Sequence, residues 1–278
     1  MHKHLGILLA PLLLLAPYSA ALGQQPGGQA IPPLSGHAHN DYNHARPLLD
    51  ALDRGFRSVE ADVFARGDSL YVAHDAKDLA TGRTLRSLYL DPLRAEVKKD
   101  PARFSSARPL ILLVDIKDEG TETYQLLHHI LGEYRDLTTA VYGKVVLPGP
   151  LMVIVSGNRP IEFMRDQDQR YAFVDGRLPD LGAGYSPLLM PLVSDRWTKH
   201  FAWKGKGDMK PKDRVKLEAA VKSAHENGQM IRFWATPDTA GPERDAVWAT
   251  LLEAGVDLIN TDDLDGFSEF NQTSSSRQ

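Results

Sequence analysis

The sequence predicts an α/β protein built as a single TIM (β/α)8 barrel, and three observations carry that prediction. Short apolar runs such as PLILLVDI at 109–116 and LMVIV at 151–155 suit strands buried on both faces, and they alternate with helical patterns along the chain. Eight strand–helix units fill the stretch 34–268 at the ordinary size of such a barrel. No G-x-G-x-x-G opens the first helix, which removes the usual support for a doubly wound open sheet.

Residues 1–24 carry Lys3, an apolar run from Leu5 to Leu15 and small residues at Ser19, Ala20 and Ala21, the pattern of a cleavable secretory signal. A secreted or periplasmic protein is therefore expected. The stretch 25–33, QPGGQAIPP, reads as a flexible leader. Strands are then predicted at Leu34–His39, Arg57–Phe64, Leu70–His74, Leu110–Ile116, Leu151–Val155, Tyr171–Asp175, Leu188–Val193, Met230–Trp234 and Val256–Asn260. The third of these is assigned to a short hairpin, which leaves eight for the barrel. Helices are predicted over Thr121–Leu137, Lys212–Asn227 and Pro242–Ala254; the last two stop at Gly228 and Gly255. The end of the chain, 269–278, is expected to fray.

Composition narrows the function classes. With 42% hydrophobic and 24% charged residues the chain is an ordinary globular one. Its 32 Lys and Arg against 36 Asp and Glu give a charge of -4, without the basic footprint of a nucleic-acid binder. The absence of cysteine excludes disulfides and thiolate metal sites.

The residues that carry chemistry stand at the C-terminal ends of the early strands, where a barrel builds its active site. His37 and His39 in GHAHNDY lie two apart and so share a strand face. Glu60 and Asp62 in SVEADVF do the same. Two carboxylates on one buried face repel unless a divalent cation joins them, and oxygen ligands favour Mg²⁺ or Ca²⁺. Leu70–Asp75 ends in His74-Asp75, and five apolar residues run into Asp115, with Lys117 two positions on. Two histidines, three carboxylates and a lysine suit metal-assisted phosphodiester cleavage, one imidazole taking a proton and the other giving one. Blander readings apply elsewhere. His128-His129 and Trp248 lie on helices as ordinary packing or surface residues. The loop holding Trp197, Phe201 and Trp203 covers a barrel edge, or forms a substrate lid or membrane contact.

The order His39-Asn40, Glu60-Ala-Asp62, His74-Asp75 and Asp115-Ile-Lys117 resembles the PLC-like phosphodiesterases, which include glycerophosphodiester phosphodiesterases and phosphatidylinositol-specific phospholipases C. Gly255-Val-Asp-Leu-Ile-Asn-Thr261-Asp262 is similar to the segment that closes their barrel, and Trp234 of Arg232-Phe-Trp234 matches their strand-seven tryptophan. HAHNDY together with RFW and NTDDL resembles a narrower branch, the proteins like altered inheritance of mitochondria protein 6. The resemblance implies His39 and His74 as catalytic residues, Glu60, Asp62 and Asp115 as ligands of one divalent cation, and His37, Asn40, Lys117, Arg232 and Trp234 as substrate-binding residues. It further implies hydrolysis of a glycerophosphodiester or phospholipid-derived phosphodiester; a transient membrane contact is expected only on the membrane-contact reading of the aromatic loop. Asn40 stands where glycerophosphodiesterases carry an arginine, which leaves Arg46, Lys117 or Arg232 to hold the phosphate. The alternative reading is a non-catalytic, metal-containing barrel that binds a phosphorylated or polyol ligand.

Overall fold

The computed structural model describes residues 36–275. The expected signal segment, the leader and the last three residues lie outside the described residues. Eight strands form a closed ring: β1 Gly36–Ala38, β2 Ser58–Arg66, β3 Leu110–Ile116, β4 Leu151–Gly157, β5 Phe173–Gly176, β6 Leu192–Arg196, β7 Met230–Trp234 and β8 Leu258–Thr261. Every strand pairs in parallel with the next, and β8 pairs with β1, so the ring leaves no open edge. The (β/α)8 prediction holds. Ser69–Val72 lies antiparallel on β2, with Val63 opposite Val72, as the hairpin reading requires.

The period-2 alternation of the strands sorts side chains into two cores. Ile111, Leu113, Met152, Ile154, Phe173, Leu192 and Leu258 form an apolar cluster apart from the larger core. They stand at alternate positions of their strands and fill the lower barrel interior. Their neighbours Leu112, Val114, Val153, Val155, Val174, Val193 and Ile259 belong to the larger core, which includes the helix residues Leu127, Leu217, Val221, Val247, Trp248 and Leu251. A hairpin of Ala140–Tyr142 and Val145–Leu147 closes the lower mouth, where Val141 packs against the interior cluster. Towards the C-terminal ends the alternate positions change character. Asp62, Asp115 and Ser156 follow one another in register across β2, β3 and β4. The apolar plug thus ends one layer below a polar one.

Five longer helices accompany the strands: α1 Asp91–Lys99, α2 Gly120–Gly132, α3 Pro211–Glu226, α4 Pro242–Glu253 and α5 Leu264–Ser275. The predicted α2 ran on to Leu137, but the helix ends at Gly132; α1 and the lower hairpin had no counterpart in the sequence reading. Strand six was expected over Leu188–Val193 and begins at Leu192 instead. Proline at 191 has no N–H for a ladder, and the amides of Leu189 and Met190 both bond Ser186 O, so the apolar Leu188–Met190 run forms a turn that buries Leu189 and Met190. The expected frayed end is corrected as well. Helix α5 continues to Ser275, because Phe267 and Phe270 stack on the buried Trp248 at 5.1 and 5.4 Å between centroids.

Candidate active site

A cavity of about 180 Å³ opens at the C-terminal ends of the strands. His39, Asn40, Glu60, Asp62, His74, Asp115, Lys117, Arg232 and Trp234 all line it, so residues from β1, β2, β3 and β7 meet at one place. His37 lies elsewhere: it is wholly buried, held between Ser58 Oγ at 2.7 Å and Glu60 Oε2 at 3.0 Å, and it is not part of the cavity lining. Arg46 is exposed and paired with Asp50 and Asp53, which takes it out of the candidates for a phosphate contact. Trp197 and Phe201 are buried, and the Trp203 indole bonds Gly207 O, so the aromatics of that loop serve its own packing.

The three carboxylates each offer an oxygen atom within 4.8 Å of the others. Glu60 Oε2 is taken by Arg232 at 2.8 Å and by His37. Asp62 Oδ2 accepts from the Tyr42 hydroxyl at 2.9 Å and pairs with Lys117 at 3.0 Å and His74 at 3.0 Å. Asp115 Oδ1 meets Lys117 at 3.1 Å. On each carboxylate the protein fixes one oxygen. The second oxygen of Asp62, Oδ1, is buried and has no partner among the described residues. A buried carboxylate oxygen left bare is costly, and a divalent cation removes that cost. The electrostatics agree. Burial, with the charge of Glu60, raises the pKa of Asp62 despite Lys117. Burial also raises Asp115, against Lys117 and reinforced by Asp62. Glu60 is buried too, but Arg232 and the His37 bond outweigh that and hold it below the usual range. Hard oxygen donors, a bare buried lone pair and two carboxylates reluctant to ionise together fit a resident cation.

The backbone supports this arrangement at two points. Gly157, at the end of β4, has φ 67°, and a Cβ there would lie 2.4 Å from Asp115 Oδ1, so only glycine lets Asp115 keep its place. Asn40 takes a left-handed conformation with φ 47°, turning the chain directly after His39.

The histidines differ in protonation. Burial and the neighbouring Arg232 lower His37 to about 3, so its ring is neutral. With Nε2–H donating to Glu60, Nδ1 accepts the Ser58 hydroxyl. For His39, burial opposes protonation, but the bond to Asp262 and the charge of Glu60 prevail and the pKa is raised. Its Nδ1 lies 2.8 Å from Asp262 Oδ1, which places the proton there and leaves Nε2 bare. Asp262 is itself fixed, its amide donating to Asp238 Oδ2 at 2.6 Å. The Nδ1 of His74 likewise donates to Asp62 Oδ2. Lys117, though partly buried, is held charged by Asp115 and Asp62, its pKa raised.

Sequence reasoning named Asp262 only as part of the closing segment and gave it no role, and it missed Asp238 as well as Ser156, Arg177 and Ser194, which also line the cavity. Ser156, Asp175 and Ser194 fall in or beside apolar strand runs, and a lone polar residue at a strand's C-terminal end was the available signal.

Comparison with known proteins agrees with this geometry. Residues 28–175 match the model of the AIM6-like phosphodiesterase domain, and 230–265 that of the glycerophosphoryl diester phosphodiesterase family. The altered inheritance of mitochondria protein 6 homolog of Arthroderma benhamiae is 33% identical over 85% of this chain and 83% of its own length. Altered inheritance of mitochondria protein 6 of Eremothecium gossypii is 30% identical over 84% and 68%. Among solved structures, a glycerophosphoryl diester phosphodiesterase from Parabacteroides distasonis has a TM-score of 0.53 at 17% identity, covering 92% of this chain and 91% of its own. A calcium-dependent phosphoinositol-specific phospholipase C from Pseudomonas sp has a TM-score of 0.53 at 12% identity, covering 82% and 87%. These two likenesses show the shared barrel fold.

Proposed function

Because the chain belongs to the AIM6-like phosphodiesterase domain family, we propose that it is an exported, divalent-cation-dependent phosphodiesterase acting on a glycerophosphodiester or phospholipid-derived phosphodiester. The observation that carries this reading is the meeting of two carboxylate-oriented histidines with the Glu60, Asp62 and Asp115 triad in one cavity. A divalent cation, Mg²⁺ or Ca²⁺, held by those three carboxylates would offset charge on the phosphoryl oxygens and acidify the attacking oxygen.

The chain's own groups do the rest. His39 Nε2 accepts the proton of the attacking hydroxyl or water, and Asp262 stabilises the imidazolium that results. His74, oriented by Asp62 through Nδ1, presents Nε2 to the leaving alkoxide as the general acid. Lys117 and Arg232 present positive charge to the phosphoryl group, with Asn40 and Trp234 beside them. His37 acts through Glu60, as a positioning residue. The expected export rests on the signal pattern of residues 1–24.

The test is hydrolysis of bis(p-nitrophenyl) phosphate and glycerophosphodiesters by the purified protein with Mg²⁺, Ca²⁺ or EDTA. Cation-dependent turnover that falls about 10²- to 10⁴-fold in His39→Ala and His74→Ala is expected. Full rates in EDTA, or in the double variant, overturn the proposal. One observation favours a second reading, a barrel that binds its ligand without turnover. Asn40, next to His39, is engaged with Tyr42, whose hydroxyl lies 2.7 Å from its Oδ1, so no basic side chain stands there. Calorimetric binding of a phosphate ester with no product after long incubation selects that reading.

A further inference from the structure

His74 differs from the rest of the cavity lining in how it is held. Every other lining residue stands on a strand of the ring or within two residues of its end, so ring closure fixes it. His74 instead follows the hairpin strand Ser69–Val72, outside the ring, and opens a stretch 74–82 that is exposed apart from Leu79. Its own side chain is 62% exposed. Misplacing a reacting group by about 1 Å can cost about 10²-fold in rate. A general acid on such a loop therefore needs ties that the barrel does not supply.

Two side chains outside the cavity lining supply them. Tyr42 is buried, and its hydroxyl lies 2.9 Å from Asp62 Oδ2, 2.7 Å from Asn40 Oδ1 and 3.4 Å from His74 Nδ1. Asp62 Oδ2 is the atom to which His74 Nδ1 donates at 3.0 Å, so the hydroxyl holds the acceptor that orients the imidazole. Burial and the charge of Asp62 raise the Tyr42 pKa, which keeps the hydroxyl a donor. Packing alone would need only the ring. Arg83 ties down the far end of the loop. Its carbonyl accepts the Val72 amide at 2.9 Å, and its Nη2 donates to the Tyr42 carbonyl at 2.5 Å. The arginine thus joins the hairpin that carries His74 to the turn that follows His39. Its side chain bonds no member of the carboxylate triad among the described residues.

We propose that Tyr42 and Arg83 form a latch that positions His74 against the leaving oxygen. Both are positioning residues, since they act through His74 and Asp62. This deepens the phosphodiester reading and rests on it. Two diesters with different leaving groups test it. Glycerophosphocholine releases an alkoxide whichever P–O ester bond breaks, and that alkoxide needs a proton; bis(p-nitrophenyl) phosphate releases a phenolate that is stable without one. With Ca²⁺ or Mg²⁺ at saturation, Arg83→Ala should lower kcat for glycerophosphocholine about tenfold more than kcat for the aryl diester, with both KM values within about twofold of wild type. Tyr42→Phe keeps the ring and should show the same selective loss, which serves if Arg83→Ala does not fold. His74→Ala should be selective to the fullest extent, and adding Arg83→Ala to it should bring no further selective loss, because the latch acts through the imidazole. Equal losses on the two diesters, or a selective loss undiminished in the His74→Ala background, overturn the latch and leave the phosphodiester reading in place. Wild-type turnover of the aryl diester alone also overturns the latch. Turnover of neither diester with either cation overturns both.

Discussion

His39 shows how one contact sets a residue's chemistry. Asp262 fixes the proton on Nδ1 and raises the pKa, so the bare Nε2 that the proposed proton abstraction needs is populated only above the ordinary histidine value. Asp262→Asn removes a group that raises the pKa. The acid limb of kcat/KM should therefore move to lower pH while the rate falls roughly 10- to 100-fold, read from a full pH profile. A limb that stays in place would mean Asp262 does not govern His39. Gly157 is the second such position. In Gly157→Ala the new methyl group enters the space of Asp115 Oδ1 at a positive φ, so Ca²⁺ affinity measured by calorimetry should drop at least about tenfold; unchanged affinity argues that Asp115 is not a ligand. His39, Glu60, Asp62, His74, Asp115 and Lys117 were legible because short apolar runs lead into them. Asp262 was not legible as the partner of His39, since 223 residues separate the two and only barrel closure joins them.

At the scale of elements, the turn after β1 is held by Asp41, whose carboxylate accepts the Leu48 amide at 2.6 Å. Burial raises its pKa to about 6, against that hydrogen bond. The folded state thus holds a proton that the unfolded state has released between the ordinary aspartate value and pH 6. The stabilisation is complete below that ordinary value and is lost as pH rises through 6. Asp41→Asn cannot titrate. Urea unfolding should show it near wild type at pH 4 and more stable by up to about 3 kcal/mol at pH 7.5, a two-unit shift at 1.36 kcal/mol each. A constant difference at both pH values would assign the effect to packing instead. Element type was legible wherever periodicity was long, as in β3 and β7, whose bounds match the prediction. Two errors have local causes. A proline displaced the start of β6, and α5 is held by Trp248 on α4, a tertiary contact that the polar sequence of the tail could not display.

For the whole molecule, the closed ring brings three carboxylates from two strands to one point, so cation binding should stabilise the entire barrel. Added Ca²⁺ or Mg²⁺ at 100 times its Kd contributes about 2.7 kcal/mol and should raise the Tm by several degrees. Asp62→Asn, which removes one of the three carboxylates proposed to hold the cation, should abolish that rise. A variant that keeps the full cation-induced shift would place the binding elsewhere. The sequence by itself determined the barrel and singled out most of the carboxylates and histidines that meet in the cavity, because alternating burial along a strand is a local property written in the order of residues. Only the tertiary structure decided that His37 turns inward to Glu60, that Asp262 orients His39, and that Ser156, Arg177 and Ser194, tied together by Asp175, line the same cavity. Those relations depend on which strands become neighbours when the ring closes, and no spacing along the chain encodes that distance.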